Sequence, residues 1–498
     1  DGDIWIGAGS NLLSRLDERT EAIDNYSGSA FNFGAVHCLL KYTDKELLVG
    51  TDNGLYLFDQ NTNTFQRADN PADPRSLSDQ TINGMMWDAE GALWVLTNLG
   101  GINYMSKQTK RFDYYSPAYL SGVPGAGEVV APFCENKDGN IWIGTQSGLY
   151  FFNVATRELS PYAIGTKNQK YDIRSLMLDG DYLWIGTYAG GIRVINLRTG
   201  AVKAYTHSRG IPNTICSNDV LCIYKGRKGE IYVGTSWGLC RYDAARDNFM
   251  TITSVGSMVS VVDIYEDMYN HLWIATSNSG VFSYNTMNAH WKHYQHERED
   301  STTITSNSVI TLFEDTKGTM WFGTNGGGLC SFDAKEKRFI EFDPHNTLLP
   351  NKVIYAIEQD QGGDFWVSSN AGIFKINPVT KDHFRQFTIN DGLQGNQFIA
   401  RSSLKSSEGK LYFGGINGFN VFQPEQFVDN KYIPPVYVTD IRLPYQTDEQ
   451  EVKKLLQLDK PLYMADKVTL SYENNSFSIR FVALSFEDPG KNRYSYIL

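Results

Sequence analysis

What this chain lacks narrows it before anything it contains. No apolar run approaches the ~18 residues of a membrane-spanning helix, and no leader of the secretory kind opens it. Lysine and arginine total 45 against 56 aspartate and glutamate, a net charge of −11 with no basic cluster, which argues against a nucleic-acid surface. Cysteine is scarce. The six (Cys38, Cys134, Cys216, Cys222, Cys240, Cys330) show no CxxC and no regular spacing, so they read as small buried residues rather than a disulfide framework or a metal site. There is no GxSxG, HExxH, phosphate loop or zinc spacing, and the sequence therefore predicts no catalytic residue, metal or cofactor. His290, His293 and His296 lie close together, but on a strand His293 points away from the other two, as on a solvated outer strand. Pieces such as Asp138-Gly139, Asp179-Gly180 and Asp315 to Gly318 read as hairpin chemistry and not as calcium loops.

What is present is a repeat. The stretch Thr319–Asp333, TMWFGTNGGGLCSFD, is a β-hairpin written out: alternation over Met320–Thr324, a turn at Asn325-Gly326, and a return over Leu329–Phe332. The same sentence recurs ten times, anchored at Trp5, Leu48, Trp94, Trp142, Trp184, Tyr232, Trp273, Trp321, Trp366 and Tyr412. Neighbouring anchors are 41 to 48 residues apart, the period of propeller blades of four strands each. Both faces of a stacked blade are buried, so both alternating sets are apolar. The glycine two after most anchors (Gly144, Gly186, Gly234, Gly323, Gly414) makes room for a large side chain of the next blade, whereas Leu96, Ala275 and Ser368 depart from that rule. The repeats stop after Phe422. Asn430–Pro435 reads as a linker, and Val468–Tyr472 and Ser476–Phe481 alternate like sandwich strands.

The fold class is thus all-β: one complete seven-bladed propeller, blades of another, and an incomplete C-terminal Ig-like sandwich. The expected boundaries are 1–118 for the partial propeller, 119–427 for the complete one and 428–498 for the tail. A single ten-bladed ring is the other arrangement. Because the chain starts within a hairpin and stops in a strand, it reads as a piece of a larger protein, and the lack of a leader then carries no weight.

A ligand is expected on the face that carries the turns between second and third strands and the connectors into the next blade. Seven of the ten tryptophans are anchors; Trp237 is not, and like Tyr188 it occupies a turn where it has no packing role. Such rings suit the apolar face of a sugar, while Asn and Arg suit its hydroxyls. The candidate ligand-binding residues are therefore Trp237 and Tyr188, with Asn278, Asn325, Asn370 and Asn417 in equivalent turns. The connector residues Asn218, Asn307 and Asn351 and the first-strand Arg174 complete the set.

The repeats resemble two-component regulator propeller repeats. Asp391-Gly-Leu-Gln-Gly-Asn-Gln-Phe398, followed by LYFGGINGFNVFQPEQF over Leu411–Phe427, looks like that family's last blade. Asn475-Ser-Phe-Ser-Ile-Arg-Phe481 and Tyr494-Ser-Tyr496 look like the small triple-tyrosine domain that follows it. Together they resemble the periplasmic sensor region of hybrid two-component regulators of Bacteroidetes. In that family two seven-bladed propellers precede the small domain, so ten repeats depart from the expected fourteen. The resemblance implies an extracytoplasmic, non-enzymatic sensor of an oligosaccharide or other small ligand, membrane-anchored in the full-length protein, with a second copy as partner and signalling by domain reorientation. Two other classes stay open on the residues alone: a propeller lyase or glycoside hydrolase acting on a glycan, and a protein-interaction scaffold.

Overall fold

The computed structural model describes all residues except 1–2, 10, 28–31, 72–75, 107–111, 118–128, 166–169, 257, 344–348, 350, 382–383, 428–432, 444–459, 471, 473–475, 487–491, 493 and 498. Every one of the ten hairpins forms, and the second-to-third strand pairing is antiparallel throughout. The chain divides into two compact units, Gln108–Phe427 and Asp1–Lys107 with Val428–Leu498.

The larger unit holds seven four-stranded sheets, numbered here as blades 1 to 7 in chain order. Their second strands are Ile141–Thr145, Tyr182–Thr187, Ile231–Thr235, His271–Thr276, Met320–Thr324, Phe365–Ser369 and Leu411–Gly415. Each first strand packs beside the first strand of the next blade, and Phe398–Lys405 of blade 7 lies beside Val130–Glu135 of blade 1, so the ring closes. Blade 7 takes its outer strand from the other end of the unit: Asp113–Tyr115 pairs with Phe419–Val421. The boundary expected between 118 and 119 therefore cuts the closing strand off the ring. Three residues are too short to show as a strand in the repeat pattern, and their partner lies more than 300 residues away.

Two repeated devices hold neighbouring blades. The glycine two after five of the seven anchors faces the start of the next blade: a Cβ on Gly323 would stand 2.8 Å from Ile354 Cγ2, and one on Gly186 2.7 Å from Val220 Cγ1. At the other end, a side chain closing one first strand accepts an N–H from the neighbouring blade's turn. Glu266 accepts from Arg227 at 2.7 Å, Glu314 from Met268 at 2.8 Å, and Gln359 from Thr316 at 2.8 Å. Ser407 N–H to Glu135, at 2.8 Å, repeats the bond between blades 7 and 1.

The aspartate turns before the second strands, Asp-x-x-Gly or at Asp267 Asp-x-x-Asn, are structural. In Asp315, Asp267 and Asp360 one carboxylate oxygen caps the turn, and the other accepts the indole N–H of Trp321 (3.0 Å), Trp273 (2.8 Å) or Trp366 (3.0 Å). The cysteine reading needs correcting for one pair. Cys216, in the connector into blade 3, and Cys240, in its third strand, are joined as a disulfide with Cα atoms 6.4 Å apart. No sequence spacing announces it, because the fold and not the chain brings the two together. Burial pushes the thiols of Cys134 and Cys330 up to about 11, the range of inert core residues.

In the smaller unit three sheets stack in sequence, with Leu13, Val49 and Phe58 buried in one cluster and Leu48, Ile82 and Val95 in the next. The tail contributes one two-stranded sheet, Val436–Arg442 with Ser478–Ala483. Among the described residues Val468–Leu470 is not a strand, contrary to expectation. Phe486 packs edge-on against the anchor Trp94 at 5.3 Å.

Candidate functional site

The turns between second and third strands are locked from within. The hydroxyls of Thr145, Thr187, Thr235, Thr276 and Thr324 each donate to the glycine carbonyl that ends the turn, at 2.7–3.0 Å. A fixed backbone presents its tip residue outward. Tyr188 on blade 2 is 56% exposed and Trp237 on blade 3 is 64% exposed.

Arg174 and Tyr188 come together as a cluster. The Tyr188 N–H donates to the Asp172 carbonyl at 2.8 Å, which sets the turn against the start of the first strand. The Arg174 guanidinium then sits 5.7 Å from the Tyr188 ring centroid, held by a 2.7 Å bond from Nη2 to Asp172 Oδ2. Arg174 Nε and Asp172 Oδ1 are both buried with no protein partner. The cluster therefore sets a part-exposed guanidinium–carboxylate pair beside an exposed aromatic ring. A carboxylate bridge extends it toward blade 3. Asp219 accepts the Ala189 N–H at 2.8 Å through Oδ1 and the Ser236 hydroxyl at 3.3 Å through Oδ2, and Ser236 precedes Trp237. The two aromatic tips thus stand on adjacent blades joined by one side chain. Sequence reasoning missed Asp172 and Asp219. The available signal was that both hold one blade position, directly before the residue that opens the first strand, in the two adjacent blades that carry the exposed rings.

The asparagines divide. Asn278, Asn325 and Asn370 are exposed at the tips of blades 4, 5 and 6. Asn417 is occupied: its amide nitrogen donates to the Gln394 carbonyl at 3.2 Å and its N–H to Gln394 Oε1 at 3.0 Å. Asn218 and Asn307 serve the connectors, each accepting a backbone N–H at 2.7 Å, from His207 and His296 respectively. Asn351 accepts from Val353, also at 2.7 Å. These oxygens strap loops, which is work that an asparagine in a connector does without any ligand.

The histidine trio is dispersed. His293 stacks on Phe282 at 3.9 Å, and His296 Nδ1 contacts the Ile304 carbonyl at 2.8 Å. Among the described residues no group of three His, Cys, Asp or Glu side chains is placed to hold a metal. A concavity of about 790 Å³ lies between the outer parts of blades 2 and 3, lined by Trp184, Tyr205, Tyr242 and Asp247. The polar groups around Asp247 are spent on one another. Asp247 pairs with Lys203 and accepts from both phenols, which holds its carboxyl down at about 2, while burial and that carboxylate push the Tyr205 phenol up to about 12.

Residues 303–326 match the two component regulator propeller model. That stretch runs from the connector into blade 5 to the turn after its second strand. The chain is 27% identical over 418 residues to Histidine kinase P4 of Formosa agariphila, an alignment covering 81% of this chain and 29% of that protein. Two structures of one extracellular domain from B. thetaiotaomicron share the fold. The one described as a putative one component system has a TM-score of 0.53 at 20% identity and covers 96% of this chain and 64% of that one. The other, described as a putative hybrid two component system, has a TM-score of 0.52 at 21% identity, with coverage of 96% and 63%. The chain thus spans less than a third of the length of that kinase relative. Among its described residues no helix is long and apolar enough to cross a membrane.

Proposed function

We propose that this chain is the extracytoplasmic ligand-sensing region of a hybrid two-component histidine kinase and response regulator, that it binds a carbohydrate, and that it belongs to the periplasmic part of a membrane-anchored protein. The observation that carries the binding reading is the Tyr188 cluster: an exposed ring backed by the part-exposed ion pair of Arg174 and Asp172. A sugar ring offers an apolar face for the phenol and hydroxyls for the other two. Asn278, Asn325 and Asn370 extend the same face. The propeller repeats and the kinase relative support the signalling context, and the Cys216–Cys240 pair fits an oxidising compartment.

A sensor without chemistry transmits through differential affinity for two arrangements of its parts. The rings are rigid, so the joints are the stretches Ser116–Glu128 and Asn430–Pro435, most of which lie outside the described residues. In this reading the tail is a small Ig-like domain whose orientation changes on binding, within one chain or against a second copy. Calorimetric titration of the chain with a panel of oligosaccharides tests the binding step. Saturable heat from one of them, abolished in Tyr188→Ala and retained in Asn218→Ala, is expected. Turnover of that ligand would instead place the chain among enzymes.

A further inference from the structure

The first strand of blade 7 breaks the rule kept by blade 5. There Val309 pairs with Thr324 and Leu312 with Phe322, so two residues stand opposite Gly323. In blade 7 Phe398 pairs with Gly415 and Ser403 with Phe413, so four residues, Ile399 to Ser402, stand opposite Gly414. The strand is correspondingly longer, Phe398–Lys405 against Val309–Glu314. First strands form the inner wall of the ring, so a surplus of two residues there bulges toward the axis.

Arg401 sits in that bulge with φ +57°, a left-handed conformation that a side chain with a Cβ rarely adopts. Its N–H is fixed to the Tyr355 carbonyl of the neighbouring blade at 2.7 Å. In a ring of seven, blade 7 faces the seam between blades 3 and 4. The Arg401 charge is felt at Cys222 on blade 3 and Asp263 on blade 4, the positions paired with Gly234 and Ala275 on the innermost strands. A residue of blade 7 reaches both only from within the central channel.

Asp263 makes no direct contact with it. Its two oxygens accept the N–H groups of Ile264 at 3.0 Å and Leu312 at 2.8 Å, and it forms no ion pair with Arg401. Among the described residues no hydrogen bond or ion pair uses the Arg401 guanidinium. A left-handed residue on the innermost strand whose guanidinium has neither a hydrogen-bond nor an ion-pair partner among the described residues is an arrangement that folding alone does not favour.

We propose that the central channel of this ring is an oxyanion site in which Arg401 binds a carboxylate, sulfate or phosphate group in the bidentate manner of a guanidinium. This site is distinct from the Tyr188 cluster and independent of the sugar reading. The test is calorimetry and thermal melting of the whole chain with sodium sulfate, sodium phosphate and galacturonate, at ionic strength held constant with sodium chloride, and with galactose as the neutral control. Saturable binding of at least one anion is expected, weakened roughly tenfold or more in Arg401→Gln and partly restored in Arg401→Lys. The anion that binds most tightly identifies the group. Equal binding by wild type and Arg401→Gln would overturn the proposal. So would the lack of a saturable response to all three anions in the wild type. If Arg401→Gln does not fold, Arg401→Lys decides: it keeps the charge and loses the fork, and unchanged affinity for every anion counts against the site.

Discussion

Replacing Trp321 by alanine measures what one anchor contributes to the ring. Its indole is 7% exposed, lies edge-on to Phe365 at 5.0 Å and Phe342 at 6.1 Å, and donates to an Asp315 carboxylate that is itself 8% exposed. Truncation removes a large buried ring and leaves a cavity, at a cost of about 3–5 kcal/mol. It also strips the partner from a buried carboxylate oxygen, which adds about 1–3 kcal/mol. For a cooperative unit of about 320 residues the unfolding entropy is roughly 0.7 kcal/mol per degree, so the melting temperature should fall by about 6–11 °C. Trp321→Phe keeps most of the packing and loses the hydrogen bond; it should fall between the wild type and the alanine variant. Trp237→Ala, at a ring 64% exposed, should change stability by less than about 1 kcal/mol. Scanning calorimetry on the three variants is the assay. Equal destabilisation by Trp237→Ala and Trp321→Ala would refute the division of tryptophans into anchors and surface rings.

Three further outcomes follow from particular contacts. In blade 1 Asn136 stands where Asp315 stands in blade 5, and the indole N–H of Trp142 is buried without a partner; Asn136→Asp should raise the melting temperature by about 1–2 °C, from roughly 1 kcal/mol for the new bond. The Cys216–Cys240 pair closes a span of 24 residues, so reduction should cost about 3 kcal/mol, read as a lower melting temperature that oxidation restores. Burial pushes the Glu358 carboxyl up to about 7 and that of Asp263 to about 6. Both folded values lie above the unfolded ones, so the folded chain holds more protons in that interval and stability falls as pH rises from about 4 to 7; Glu358→Gln should flatten the upper part of that decline, and an unchanged pH profile would show that Glu358 does not titrate there.

The repeat made the fold legible because stacking two buried faces forces the same alternation and the same glycine into every unit. Phe322 and Gly323 read alike in sequence and structure for that reason. The closing strand Asp113–Tyr115 was illegible because its partner is supplied by ring closure and not by neighbours in the chain. The site divides on the same line. Tyr188 and Trp237 stood out as large rings without a packing role, and their exposure agrees. Asn218 and Asn307 looked like ligand donors, yet a connector oxygen that accepts a backbone N–H leaves no mark in the sequence. Asp172 and Asp219 were passed over for the converse reason: their value lies in contacts across a blade or between blades. The Arg401 bulge needed the register of blade 7, which alternation alone does not fix.

The central claim is that this propeller senses a ligand on the face bearing Tyr188 and signals by moving its parts. Scattering or label-distance measurements on the intact sensor region, with and without the oligosaccharide that calorimetry identifies, test it most directly. The account predicts a changed separation between labels on the tail and on the larger ring at saturating ligand, with blade structure unaltered, and no change in Tyr188→Ala. Identical separations at saturation, in a full-length protein that still signals, would contradict it.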